Sequence, residues 1–128
     1  MAQENVEVVR KVWDAYSRGD LDQIMGFSDP YVVMISLEEG PLYGFNAVRE
    51  NYRRWKEAWA EAETTVEEII GAGDRVFVVA RFRGRGEASG IEVGACLYEV
   101  YTMRDGTILR VDEFREREQA VEAAGLRE

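Results

Sequence analysis

Residues 91–115, IEVGACLYEVYTMRDGTILRVDEFR, decide the fold. Two alternating apolar runs flank Asp105-Gly106, a residue pair that tolerates the positive φ angles of a tight hairpin turn. The turn fixes which side chains oppose one another. A two-residue loop would set Glu99 against Asp112, an unfavourable pairing of like charges. A three-residue loop, with Gly106 as a left-handed bulge, pairs Met103 with Thr107 and Glu99 with Val111 instead. This second register is the expected one. It puts Leu97, Glu99, Tyr101, Met103, Leu109, Val111 and Glu113 on one face. Tyr98, Val100, Thr102, Arg110, Asp112 and Phe114 share the other. Glu99 then sits in mid-strand among apolar residues, with Glu113 a diagonal neighbour about 7 Å away at Cβ. A carboxyl in that setting is paired, protonated or at a cavity, because an unpaired buried charge is too costly.

Upstream of the hairpin the apolar period changes. Val6, Val9, Val12, Trp13 and Tyr16 recur at helical spacing, predicting a helix over Glu4–Arg18 that Gly19 ends. Asp20, with Gln23 three residues on, caps a second short helix that buries Leu21, Ile24 and Met25. Tyr31–Ser36 reads as a strand, and Leu37–Gly44, with two glycines and Pro41, as a mobile flap. Asn46 is placed to cap a third helix whose stripe is Val48, Tyr52, Trp55 and Trp59. Two tryptophans and a tyrosine on one stripe suit a pocket wall, since their N–H and O–H groups need partners when buried. Strands follow over 65–70 and 75–83, the latter placing Arg81, Arg83 and Arg85 on one solvated face opposite neighbouring carboxylates. The chain closes with a short helix within Glu116–Leu126 that docks through Val121 and Leu126.

Composition narrows the chemistry. At 128 residues the chain is expected to be one domain over 1–128, able to bury a single core. It has no histidine, which removes His-based acid–base catalysis, Ser-His triads and most zinc sites. One cysteine, Cys96, allows no internal disulfide and no cysteine metal cluster. No cofactor motif is present. A formal net charge of −9 argues against nucleic-acid and anionic-membrane partners. No apolar stretch reaches transmembrane length and the acidic start does not read as a signal peptide, so a cytoplasmic location is expected.

The order helix, helix, strand, helix and then long antiparallel strands is α+β. In ENVEVVRKVWDAYSRGDLDQIMGFSDP, YGFNAVRENYRRW, AGDRVFVVARFRGRG and YTMRDGTILRVDEFREREQAVEAAG the chain resembles the SnoaL-like, ketosteroid-isomerase-like branch of the NTF2-like superfamily. The resemblance covers nearly the whole chain. It implies a cone: a curved antiparallel sheet wrapped on three N-terminal helices, a deep apolar pocket between them, and a short C-terminal helix. It also implies where steroid-isomerase groups would fall. The tyrosine position lands on Val12 and the strand base on Ile35, so both are lost; the sheet acid lands on Glu99 and a supporting tyrosine on Tyr52. The usual steroid-isomerase mechanism is therefore not expected.

Three readings stay open. In the first, Glu99 is an acid or base, Tyr52 or Tyr16 a hydrogen-bond donor and Glu113 the second carboxyl, in a pocket walled by Val12, Ile35, Trp55, Trp59, Leu97, Tyr101 and Val111. In the second, the same pocket binds a small apolar or polycyclic ligand with a polar end, and Glu99 only anchors it. In the third, the chain is an accessory dimer with no working pocket. A homodimer is expected through the convex face, where Tyr98, Val100 and Phe114 adjoin Arg81 and Arg83.

Overall fold

The computed structural model describes residues 2–126. Helices α1 (Ala2–Arg18) and α2 (Leu21–Gly26) precede strands β1 (Ser28–Ser36) and β2 (Gly40–Tyr43), and helix α3 (Phe45–Glu57) comes next. Strands β3 (Trp59–Ala72), β4 (Arg75–Gly86), β5 (Glu92–Arg104) and β6 (Thr107–Phe114) follow, and α4 (Arg117–Ala123) ends the chain. The six strands form one sheet in the order β2-β1-β6-β5-β4-β3. All neighbours are antiparallel except β1 and β6, which run parallel. Among the described residues no helix is long and apolar enough to cross a membrane.

The hairpin adopts neither expected register. Asp105 (φ 51°) and Gly106 (φ 74°) form a tight two-residue turn that pairs Arg104 with Thr107. Both residues carry the positive φ of a type I′ turn, whose twist matches that of the strands. A bulge then intervenes between the Met103–Ile108 and Thr102–Arg110 pairs, leaving Leu109 unpaired. The extra residue returns Tyr101 to Val111 and sets Glu99 directly against Glu113. Ile108, 1 % exposed, replaces Leu109 on the helix-facing side.

Each face of the sheet has its own apolar layer. On one, Val9, Val12, Ile24 and Val48 of the helices pack on Val76, Val78, Ala80, Tyr101 and Met103. On the other, Ala120, Val121 and Ala124 pack on Phe77, Val79 and Val100. The surface expected to make a dimer is thus partly occupied by the chain's own α4. Val100 is 2 % exposed, and Tyr98 and Phe114 pack against the same cluster. Beyond α4 that face is charged, with Arg81 on Glu67 and Arg85 on Glu61 in exposed pairs that contribute little to stability.

Three local expectations change. The flap at Leu37–Gly44 is largely the β1–β2 hairpin, in which Ile35 faces Pro41 and Val33 faces Tyr43. Gly44 rather than Asn46 is the N-cap of α3, its φ of 91° being one that only glycine reaches cheaply. Helix α3 stops at Glu57, so Trp59 opens β3 instead of continuing the helical stripe. Its ring joins Trp55 and Phe82 in a cluster with centroids 4.7–5.4 Å apart.

That cluster leaves no room at Gly84, where a Cβ would lie 2.6 Å from Phe82 Cζ and 3.0 Å from Trp59 Cε3. Gly84→Ala should therefore cost about 1–3 kcal/mol and perturb the near-ultraviolet tryptophan signal. Chemical denaturation showing an unchanged midpoint would contradict this packing.

Candidate functional site

A cavity of about 140 Å³ lies between the helices and the inner face of the sheet. Helix α1 contributes Val12, Trp13 and Tyr16, and α2 contributes Ile24. Helix α3 adds Asn51, Tyr52 and Trp55. The β1 end supplies Ser36 and Glu38, and the β5–β6 hairpin supplies Leu97, Glu99, Tyr101 and Glu113.

Eight residues singled out from the sequence thus meet in one space: Glu99, Glu113, Tyr52, Val12, Tyr16, Trp55, Leu97 and Tyr101. Three do not line it. Ile35 pairs with Asp112 of the outer face, so Ser36, the next residue, turns inward; a one-residue slip flips a strand side chain across the sheet. Trp59 is held in the aromatic cluster beyond Trp55. Val111 is on the inner face but sealed in the core at 1 % exposure. Trp13, Ile24, Ser36, Glu38 and Asn51 were missed. Trp13 and Ile24 had a sequence signal, lying on the apolar sides of α1 and α2 beside Tyr16 and Met25; Ser36, Glu38 and Asn51 had none.

The chemistry centres on the opposed carboxyls. Glu99 is 9 % exposed, and Tyr101 donates its hydroxyl to Glu99 Oε1 at 3.0 Å. Burial, and after it the charge of Glu113, push the Glu99 carboxyl up to about 8; the Tyr101 bond pulls the other way without winning. Burial raises Glu113 as well, opposed by the Leu37 backbone N–H, which it accepts at 2.9 Å, and by the Ser36 hydroxyl. The two titrate as a pair. Burial, then the charges of Glu99 and Glu113, hold the Tyr16 and Tyr52 hydroxyls protonated far above neutrality. The site therefore offers a carboxylic acid that keeps its proton near neutrality, a second carboxyl whose proton affinity burial also raises, and phenol donors. It can give or take a proton without histidine.

The rim is fastened to α3. Ser36 Oγ accepts the backbone N–H groups of Glu38 and Glu39 at 3.3 and 3.2 Å, and Glu39 bonds to Asn51 and Arg54. Among the described residues no lysine or arginine lines the cavity. Among the described residues no group of three or more acidic or cysteine side chains is placed to hold a metal ion.

The sequence model of the SnoaL-like domain matches residues 9–111. The chain belongs to the SnoaL-like family. Its solved neighbours share the NTF2-like, ketosteroid-isomerase-like fold at low identity. A candidate SnoaL-like polyketide cyclase from Jannaschia sp. CCS1 superposes with a TM-score of 0.82 at 23 % identity, covering 96 % of this chain and 92 % of its own. TerC, co-crystallised with polyporic acid, gives 0.77 at 19 %, covering 95 % and 98 %. A protein of ketosteroid-isomerase-like fold from Catenulispora acidiphila, in complex with trimethylamine, gives 0.76 at 14 %, covering 94 % of each chain. No curated protein matches the sequence significantly. At these identities the likeness shows the fold alone.

The site also has a signature in folding. Glu99 ionises near its ordinary value when unfolded but only near 8 when folded, so both states are protonated at low pH and no penalty arises there. As pH climbs from about 4.5 the unfolded chain alone ionises, and the penalty grows until the folded carboxyl ionises too, reaching on the order of 4 kcal/mol. Glu99→Gln should therefore gain stability relative to the parent as pH rises from 5 to 8. A constant difference across that range, in denaturant midpoints, would contradict a buried, proton-retaining Glu99.

Proposed function

We propose that this SnoaL-like protein is a small-molecule pocket protein whose opposed Glu99 and Glu113 carry out acid–base chemistry on an apolar ligand with a polar end. The observation that carries this reading is the pairing of buried Glu99 with half-buried Glu113 on the wall of an aromatic cavity, with Tyr101 donating to Glu99. Glu99, poised near neutrality, is the residue that moves the proton. Burial first, and then Glu113, which accepts the Leu37 amide, raise Glu99's affinity for a proton. Tyr52 and Tyr16 are the phenol donors for the polar end of the ligand. A cavity of about 140 Å³ suits a single ring better than a polycycle, since an engineered void of ~150 Å³ admits benzene. Steroid-isomerase chemistry is not supported, because Val12 and Ile35 stand where the resemblance puts the phenol and the carboxylate, and Ile35 does not line the cavity.

The proposal extends to assembly and setting. A homodimer would use the outer-face surface that α4 leaves open, around Arg81, Arg83 and Tyr98. The exposed, unbridged Cys96 suits a reducing compartment such as the cytoplasm. A sedimentation mass of one chain at micromolar concentration would contradict the dimer.

Glu99→Gln tests the chemistry, since it keeps size and removes the ionisable proton. For any compound the protein converts, turnover of the bound, saturating compound should fall ~10²–10⁴-fold. If affinity falls and turnover of bound ligand is preserved, Glu99 is an anchor and the acid–base role is refuted.

A further inference from the structure

We infer that the polar end this cavity accepts is a cation, and specifically the protonated nitrogen of a compact amine seated between Glu99 and Glu113 against aromatic walls. The inference rests on the cavity's being a small-molecule site and adds the charge class of the ligand. It comes from three features of the chain itself.

The first is an imbalance. Two carboxyls face each other directly across β5 and β6 inside the cavity, with Glu38 at its rim. Buried carboxyls are ordinarily matched by a lysine or arginine, yet among the described residues none lines this space. The groups facing the pair are phenols: Tyr101 beside Glu99 on the same strand, Tyr16 from α1 and Tyr52 from α3. Glu38 and Glu39, from the loop over Glu113, add negative potential. An anionic ligand would be repelled by every ionised group present. A cation supplies what the protein does not.

The second feature is the wall. Trp13 and Tyr16 lie edge to face with centroids 6.2 Å apart, and Tyr16 and Tyr52 follow at 6.3 Å. Trp55 closes the other side. Rings around a carboxylate pair are the arrangement that holds ammonium groups, since each face carries the negative part of the ring quadrupole.

The third feature shows that the space is made for an occupant. Trp13 is 9 % exposed and lines the cavity, and its indole N–H has no partner among the described residues. A buried donor left unpaired is costly, and water or an acceptor atom would satisfy it; the ammonium, itself only a donor, would not. Binding is then a proton exchange: the ammonium enters, and the proton held at Glu99 leaves to solvent.

Three ring compounds differing in the end group make the test: benzylamine, benzyl alcohol and benzoate, titrated calorimetrically at pH 6 and pH 8. Benzylamine should bind at least tenfold more tightly than benzyl alcohol at pH 8, releasing protons at pH 6, with the preference narrowing as pH falls. Benzoate should be weakest. Glu99→Gln should abolish most of the amine preference while still binding benzyl alcohol. If benzyl alcohol or benzoate matches benzylamine at pH 8, the cation inference is overturned and the cavity reading stands. An amine preference that survives both Glu99→Gln and Glu113→Gln would locate it on the acidic surface and overturn the inference too. If none of the three binds, the small-molecule cavity falls, and the inference with it.

Discussion

The structure turns on a like-charge pair across two antiparallel strands. Glu99 and Glu113 oppose each other on the inner face, an arrangement that costs free energy and that sheets normally avoid. It persists because the register that buries the hairpin's apolar side chains also brings the two acids together. The Asp105-Gly106 turn fixes one end of the hairpin, and the bulge at Leu109 shifts the remaining pairs by one residue. Without the bulge, Glu99 would face Asp112, whose neighbours Arg110 and Phe114 belong to the outer face. The bulge keeps the apolar residues Tyr101, Val111 and Ile108 inward and brings the second acid with them. Burying those side chains outweighs the repulsion, and a retained proton reduces it.

Layering explains why the pair stays rigid. The helices cover one face of the central strands and α4 the other, so β4 and β5 are fixed from both sides. A carboxyl on a strand so held cannot swing to solvent. The rim behaves differently: Glu113 accepts the Leu37 amide, and the same loop is joined to α3 through Glu39, Asn51 and Arg54. The second acid is thereby oriented by the loop that borders the cavity mouth. Among the cavity groups, Glu99 is set by the sheet and Glu113 by both sheet and loop.

Much of this could be read from the residues, and the failures are physically instructive. The helix stripes of α1 and α2, the cap at Asp20 and the docking of Val121 follow from period and cap chemistry alone. That both acids share one face also follows from alternation. Their direct opposition does not, because the bulge is a tertiary compromise that no local signal announces. Ile35 was mistaken for a pocket residue because counting positions ignores which way the pleat points, and parallel pairing with β6 turns Ser36 inward instead. Trp59 kept the helical spacing of Tyr52 and Trp55, but the backbone breaks at Ala58 and the ring is captured by Phe82. Val111 was correctly placed on the inner face, yet alternation cannot separate a sealed core position from a cavity wall. Likewise alternation could not reveal that the outer apolar residues near Val100 pack on the chain's own C-terminal helix.

The account stands or falls on the proton held by the acid pair, and carboxyl carbon chemical shifts report it directly. In protein labelled with ¹³C at the glutamate side chains, followed from pH 3 to 10, the Glu99 carboxyl should titrate near 8, far above the solvated glutamates. In Glu113→Gln that midpoint should move down, while remaining above the ordinary range because burial is the larger cause. A Glu99 carboxyl that titrates with the surface glutamates, and does not respond to the change at Glu113, would contradict the buried pair on which the site depends.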